Sequence, residues 1–162
     1  MAESLKGIKR KVGRAFRVTT PLPAGAGRHA YARILGLTSH TPALIRQIQE
    51  GIPFKALERL QRTFALSTDE VILLVQIPQR TLTRRREAGR LRADESDRLL
   101  RGARLMHRAT TLFNGDRALA KEWMTSRQPT LGEAVPLELA STELGAREVE
   151  DALGRIEDGV FA

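Results

Sequence analysis

The sequence has no cysteine among its 162 residues, and only 4% of its residues are aromatic. Without cysteine the protein has no disulfide bonds, no thiolate metal site and no cysteine nucleophile. With so few aromatic residues, the core must consist mainly of Leu, Ile, Val and Ala side chains. That composition favours packed helices over a β-sandwich.

Long apolar runs are also missing. No segment approaches the roughly 20 apolar residues that span a bilayer. The basic stretch at residues 1–18 lacks the apolar centre of a secretory signal. The sequence therefore predicts a cytoplasmic protein with no membrane partner.

Catalytic motifs are absent as well. His29, His40 and His107 are scattered, and no zinc-protease pair, EF-hand loop, Walker loop or nucleophile elbow is present. We expect no catalytic residue, no metal and no cofactor, so a small enzyme is the least favoured interpretation.

Charge is distributed unevenly along a chain whose net charge is +8. Residues 1–33 contain eight Lys or Arg and one Glu, and residues 80–108 contain ten Arg and four acidic residues. Residues 133–162 contain eight acidic residues and two Arg. Basic front and middle segments suit a polyanion, and an acidic end suits a basic partner. The alternative is that these runs are merely solvated faces.

Residues 1–30 form a separate basic segment. Pro21, Pro23, Gly25 and Gly27 interrupt any regular element there. We therefore expect a flexible arm. A mitochondrial transit peptide is the competing interpretation, because basic residues are many and acidic ones few.

Helical spacing and cap residues predict an all-α fold for the rest of the chain. In residues 31–91 we expect four helices. The first is capped by Thr41 and stops at Gly51, and the second starts at Pro53. The third follows the Ser67-Thr68-Asp69-Glu70 start, and the fourth spans residues 79–88. In residues 92–162 we expect Asp94 to cap a long helix, Asp116 a shorter one, and a last helix to begin near Thr142. The predicted core positions are Leu44, Ile45, Ile48, Phe54, Leu57, Leu60, Phe64, Val71, Ile72, Leu74, Val75, Leu99, Ala103, Met106, Thr110, Phe113, Trp123, Val149, Leu153 and Ile156.

Residues 69–87 have the form of a helix-turn-helix with its turn at residues 76–78. The second helix presents side chains that can pair with guanine, adenine, a thymine methyl group or a phosphate. Because N-terminal residues of such a helix reach bases, we predict base contacts by Gln79, Arg80, Thr81 and Arg84. Thr83 lies on the same helix, and the predicted phosphate contacts are Arg85, Arg86 and Arg90.

Two residues depart from the usual helix-turn-helix pattern. Gln76 stands at the turn position usually filled by Gly, where a left-handed backbone is costly for other residues. Ile72 replaces the usual small residue of the first helix. The alternative is a structural helix pair whose Arg-rich face is solvated or bound to protein.

Ordered motifs carry a resemblance to a known family. In the front half they are residues 77–91, beginning Ile77-Pro78-Gln79-Arg80, and residues 95–99. In the back half they are Pro129-Thr130-Leu131-Gly132, Pro136-Leu137-Glu138-Leu139 and Gly145-Ala146-Arg147-Glu148-Val149-Glu150, followed by Leu153, Arg155-Ile156-Glu157 and Gly159-Val160-Phe161. Over residues 31–162 the chain resembles the Xre/MbcA/ParS-type antitoxins.

The resemblance implies an N-terminal Xre-like helix-turn-helix domain packed on a C-terminal helical toxin-binding domain. It implies a RES-domain toxin that depletes NAD and is neutralised when the C-terminal helix and tail of the antitoxin cover its NAD pocket. It also implies antitoxin dimers and repression of the protein's own operon through operator DNA. Arg147 and Leu153 are candidate toxin contacts because the family pattern includes them.

The acidic tail suits such a partner on physical grounds. A pocket that binds NAD must attract phosphates and should be electropositive, so an acidic helix face would complement it. Gly159 lets the chain turn at the end of that helix, and the apolar residues beyond it are exposed unless something covers them. The predicted contacts are Glu150, Asp151, Glu157, Asp158, Gly159, Val160, Phe161 and Ala162 with its terminal carboxylate. Packing of Phe161 back onto its own helix is the alternative.

Two other functions stay open at this point. One is a protein-interaction module whose helix-turn-helix no longer reads DNA. The other is an orphan transcription regulator without a toxin partner.

Overall fold

A computed structural model describes residues 27–159 of the chain. In that range the structure is helical, and its β-pairing is limited to two isolated bridges, Pro53 with Arg90 and Gln128 with Ala134. The predicted all-α class is confirmed. Residues 1–26 of the predicted arm and the last residues, Val160, Phe161 and Ala162, lie outside the described range.

The described elements follow one another with short connections. A 3₁₀ turn at Ala30–Leu35 comes first, and a second 3₁₀ turn lies at Pro129–Leu131. The helices are α1 (Thr41–Glu50), α2 (Phe54–Thr63), α3 (Thr68–Val75), α4 (Gln79–Ala88), α5 (Ala93–Leu112), α6 (Arg117–Thr125), α7 (Pro136–Leu139) and α8 (Glu143–Glu157).

The long helix α5 lies at the centre of the fold. It packs against α1 and α3 from the front half of the chain and against α6 and α8 from the back half. Its fully buried residues include Leu99, Ala103, Leu105 and Met106. Because both halves pack against this one helix, they share a single hydrophobic core.

Helices α3 and α5 approach each other closely at Gly102. A Cβ atom at this position would lie 2.7 Å from Cδ2 of Leu74, which is buried. Carbon atoms pack at about 3.5–4.0 Å, so any larger residue would push α3 and α5 apart. Glycine therefore sets the distance between the helix-turn-helix and the central helix.

Three predicted helix starts are confirmed, and a capping hydrogen bond is present at each. The hydroxyl of Ser67 accepts from the Glu70 backbone N–H at 3.1 Å, and the Glu70 carboxylate accepts from the Ser67 N–H at 2.7 Å. Asp116 accepts from the N–H of Leu119 at 3.0 Å, and Thr142 from that of Gly145 at 3.0 Å. These side chains satisfy N–H groups that the helix leaves unpaired.

Two predicted caps are wrong by one or two residues. Thr41 is the first residue of α1, and its hydroxyl hydrogen bonds with Nε2 of His29 at 3.1 Å. Asp94 lies inside the first turn of α5 and accepts a hydrogen bond from Arg98 at 3.1 Å. In both cases the expected cap side chain has another partner, and the residue ahead of the helix takes the cap position.

The predicted core is mostly confirmed, with one clear error. Ile45 is 49% exposed, because it lies about 100° around α1 from the buried Leu44. Five further predicted positions are only half-buried: Ile48, Ile72, Thr110, Phe113 and Ile156.

Candidate DNA-binding and protein-binding surfaces

The turn between α3 and α4 has the geometry of a helix-turn-helix. Gln76 adopts the left-handed conformation, with φ 53° and ψ 44°. Its side-chain amide donates to the carbonyl oxygen of Leu73 at 2.6 Å, which partly offsets the cost of this backbone. Ile77 is buried beneath the turn, and α4 starts directly after Pro78.

Helix α4 presents one polar face to solvent. Gln79, Arg80, Thr83 and Arg84 are exposed and fall within about 140° of the helix circumference. Thr83 donates its hydroxyl to the carbonyl of Gln79 at 3.2 Å. Neither guanidinium group is paired within residues 27–159, so both are free to meet a ligand.

Two residues of α4 differ in placement from the rest of the predicted set. Thr81 is half-buried, because it lies on the other side of the helix from Gln79 and Thr83. Glu87 is exposed near the middle of the outward face, although the sequence analysis did not single it out. Glu87 follows Thr83 by four residues and Arg84 by three, so helical spacing alone would have placed it on the same outward face.

Arg85 points toward the protein rather than toward solvent. Its Nε donates to Oε2 of Glu95 at 2.7 Å, and the two side chains are only 12% and 6% exposed. Burial on its own would raise the pKa of Glu95. The hydrogen bonds from Arg85 and from the Arg92 N–H outweigh burial and hold that pKa below its ordinary value. The same hydrogen bond raises the pKa of Arg85.

Arg86 and Arg90 have contacts within the protein but stay exposed. Nε of Arg86 lies 3.7 Å from Oε1 of Glu58, and its guanidinium carbon is 5.3 Å from the ring centre of Phe54. Arg90 donates from Nη1 to the carbonyl of Glu50 at 3.1 Å. These contacts hold both side chains along the edge of α4 and leave their outer surfaces accessible.

The C-terminal helix α8 brings the predicted acidic residues to one face. Helical spacing places Glu150, Asp151, Glu157 and Asp158 within about 120° of its circumference. Asp151, Glu157 and Asp158 are exposed and make no ion pair within the described part of the chain. Glu150 is half-buried and accepts from Nε of Arg104 in α5 at 2.7 Å.

The other predicted toxin contacts lie in different surroundings. Leu153 is 1% exposed and belongs to the core, so in this conformation it packs α8 rather than presenting a surface. Arg147 is exposed, with Nε 3.5 Å from Oε1 of Glu143. Gly159 is exposed with φ 73°, a left-handed backbone at the end of the described chain.

A cluster of arginines joins α5 to the start of α8, and the sequence analysis missed it. Arg101, Arg104 and Arg147 lie 3.6, 3.9 and 3.5 Å from the carboxylate of Glu143. They line a pocket of about 390 Å³. Arg147 is one helical turn from Glu143, but Arg101 and Arg104 are about 40 residues away in sequence, so no local pattern could have revealed the whole cluster.

Other chemistry was sought in residues 27–159. No group of His, Asp and Glu there could hold a metal ion. His107 is half-buried, and burial lowers its pKa. None of the helices in this range is long and apolar enough to cross a membrane.

Comparison with known proteins assigns both halves of the chain. Residues 43–104 match the antitoxin Xre-like helix-turn-helix domain, and residues 108–159 match the antitoxin Xre/MbcA/ParS C-terminal toxin-binding domain. Antitoxin Xre of Yersinia enterocolitica is 35% identical over 148 residues, which cover 91% of this chain and 100% of the relative.

Two further relatives agree with this assignment. Antitoxin Xre of Photorhabdus laumondii is 34% identical over the same shares of both chains. Antitoxin Xre of Pseudomonas putida is 36% identical over 84 residues, about half of each chain. The chain belongs to the Xre antitoxins of toxin–antitoxin systems, which join a helix-turn-helix domain to a toxin-binding domain.

Proposed function

We propose that this antitoxin neutralises a RES-domain, NAD-degrading toxin through α8 and the residues after it, and represses its own operon through α4. The exposed, unpaired face of α4 is the observation that carries the DNA half of the proposal. The exposed carboxylates of α8 support the toxin half. Both targets, operator DNA and an enzyme that consumes NAD, would place the protein in the cytoplasm.

The acidic face of α8 fits an electropositive nucleotide pocket. Asp151, Glu157 and Asp158 are the carboxylates that remain available, since Glu150 is neutralised by Arg104. Glu157 and Asp158 lie at the end of the helix from which Val160, Phe161 and Ala162 continue, and Asp151 lies about two turns before that end. A short apolar segment preceded by carboxylates would enter a pocket that normally receives phosphates and a ring.

Titration of NAD hydrolysis tests the toxin half. Wild-type antitoxin should abolish hydrolysis by the RES-domain toxin of the same operon near stoichiometry. The triple variant Asp151→Asn, Glu157→Gln, Asp158→Asn should need about tenfold more protein, because complementary charge at the pocket rim is lost.

A matched control removes the same charge elsewhere. Glu122, Glu133 and Glu138 are exposed residues outside α8, and changing all three to glutamine should leave inhibition unchanged. Undiminished hydrolysis at excess wild-type antitoxin would reject the toxin half. If both triple variants weakened inhibition of NAD hydrolysis equally, the carboxylates of α8 would have no specific role in toxin binding.

The outward face of α4 fits the major groove of DNA. Arg80 and Arg84 carry forked donors that match guanine edges and phosphates, and Gln79 can pair with adenine. Glu87 can accept a hydrogen bond from the cytosine amino group, and it repels phosphates that are not in register. One such helix reads only a half-site, so we infer that a dimer of the antitoxin binds a palindrome.

Fluorescence anisotropy with the operon's own promoter tests the DNA half. We expect Arg84→Ala to weaken promoter binding by about 1–3 kcal/mol. Arg117→Ala is the control, because it removes the same charge from an exposed position on α6. Equal affinity of the wild type for promoter and shuffled duplex would contradict operon repression and favour an interaction module that does not read DNA.

A further inference from the structure

We propose that Arg85 is a positioning residue that fixes the recognition helix α4 against α5 through Glu95, and not a phosphate contact. This inference rests on the proposed DNA binding for its functional consequence. Its structural basis is independent of DNA. Three observations carry it: the orientation of Arg85, the surroundings of Glu95, and the contrast with Arg84.

Arg85 occupies an inward position of α4. It follows the buried Leu82 by three residues, which places both side chains on the same side of the helix. Arg84, one residue earlier, is exposed and unpaired in the described structure. Adjacent arginines of identical charge therefore have opposite environments, and only one of them faces the side from which DNA would approach.

The carboxylate of Glu95 is buried and is oriented to accept hydrogen bonds from the Arg85 side chain and from the backbone. Its Oε2 accepts from Nε of Arg85 at 2.7 Å and from the backbone N–H of Arg92 at 2.8 Å. Distances near 2.7 Å are typical of strong charge-assisted hydrogen bonds. A phosphate could recruit Arg85 only by leaving the Glu95 carboxylate buried without its counter-charge, which is strongly unfavourable.

The residues next to this ion pair are also held firmly. The Ser96 hydroxyl accepts from the Ile52 N–H at 2.8 Å and donates to the Arg92 carbonyl at 2.6 Å. Backbone hydrogen bonds from Phe54 to Gly89 and from Leu91 to Ile52, both 2.9 Å, tie the segment after α4 to the start of α2. Arg85 thus links the last turns of α4 to a segment held by these hydrogen bonds, and we infer that this link sets the angle of the helix.

The salt dependence of promoter binding separates a phosphate contact from a positioning residue. Each phosphate contact contributes about 0.9 to the slope of log affinity against log salt. We expect Arg86→Gln, at an exposed predicted phosphate contact, to lower the slope by about that amount. Arg85→Gln and Glu95→Gln should leave the slope unchanged, lower affinity for the promoter about tenfold, and change affinity for shuffled DNA less than twofold.

A double-variant cycle tests whether the two residues act as one unit. Arg85→Gln with Glu95→Gln should lose no more promoter affinity than either single change, whereas Arg84→Gln with Glu95→Gln should lose the product of both single effects. A loss of slope in Arg85→Gln equal to that in Arg86→Gln would overturn the inference. Wild-type promoter affinity in Glu95→Gln would overturn it as well.

Hydrogen exchange on the full chain tests the docking without DNA. Glu95→Gln should accelerate exchange of the backbone amides of α4 at least tenfold and leave those of α8 unchanged, and Arg84→Gln should alter neither. Unchanged α4 exchange in Glu95→Gln would refute the positioning role. This measurement stays decisive if the wild type proves not to bind DNA, which would reject the proposed function separately.

Discussion

Replacing Gly102 with alanine should destabilise the protein, although alanine is the better helix former by about 1 kcal/mol. The new methyl group would lie 2.7 Å from Cδ2 and 2.8 Å from Cγ of Leu74, about 1 Å closer than carbon atoms pack. Leu74 is 1% exposed, so its side chain can move only by displacing other core side chains. Overpacking of this kind costs about 1–3 kcal/mol, so after the gain in helix propensity we expect a net loss of up to about 2 kcal/mol.

Gly154→Ala is the matched control within the same chain. Gly154 is also inside a helix, but the nearest atom to its added methyl group is Nη2 of Arg108 at 3.1 Å. That atom is the end of an exposed, flexible side chain that can move away. Without a packing penalty, this substitution should stabilise the protein by about 0.5–1 kcal/mol.

Urea denaturation of both variants and the wild type provides the assay. The midpoints should fall for Gly102→Ala and rise for Gly154→Ala, with equal slopes if only stability has changed. If Gly102→Ala gains as much stability as Gly154→Ala, the close approach of α3 and α5 is not a tight constraint. The argument from packing would then be refuted.

Three further predictions concern stability. The pKa of Glu95 lies below its ordinary value of 4.5, so the stabilising effect of the carboxylate is fully present above pH 4.5 and is lost as pH falls through the lowered pKa. In Glu95→Gln the urea midpoint should therefore fall less steeply over that acidic range than in the wild type. An equally steep fall in both proteins would contradict the assignment. Ser67→Ala should cost about 1 kcal/mol by removing the capping box of α3, while Thr68→Ala, at an exposed neighbouring position, should cost less than half as much in the same assay. Gln76→Val should destabilise by at least about 1 kcal/mol because a β-branched residue fits poorly in a left-handed backbone, and Gln76→Gly should not; equal melting temperatures for the two variants would argue against the observed turn.

The sequence was sufficient for those features that depend on neighbouring residues. The helix start at Ser67 and the turn at Gln76 each involve side chains within four positions, and both are found where the sequence predicted them. The helical stripe over residues 54–64 is buried for the same reason, since its spacing alone defines the face. Local patterns therefore located the helix-turn-helix and the start of α8.

Features that depend on distant partners could not be predicted in the same way. Arg85 belongs to the same arginine run as Arg84, and only the position of Glu95 on the next helix distinguishes them. Thr41 looked like a cap, but His29 hydrogen bonds with its hydroxyl. Leu153 was predicted both as a core residue and as a toxin contact, and only the packing of α8 shows that it lies in the core.

The central position of α5 has a consequence for how the antitoxin is lost. Unfolding of α5 would remove packing surface from both halves of the chain, because α1, α3, α6 and α8 all pack against it. If the proposed function holds, unfolding or cleavage within Ala93–Leu112 would therefore weaken DNA binding and toxin binding together.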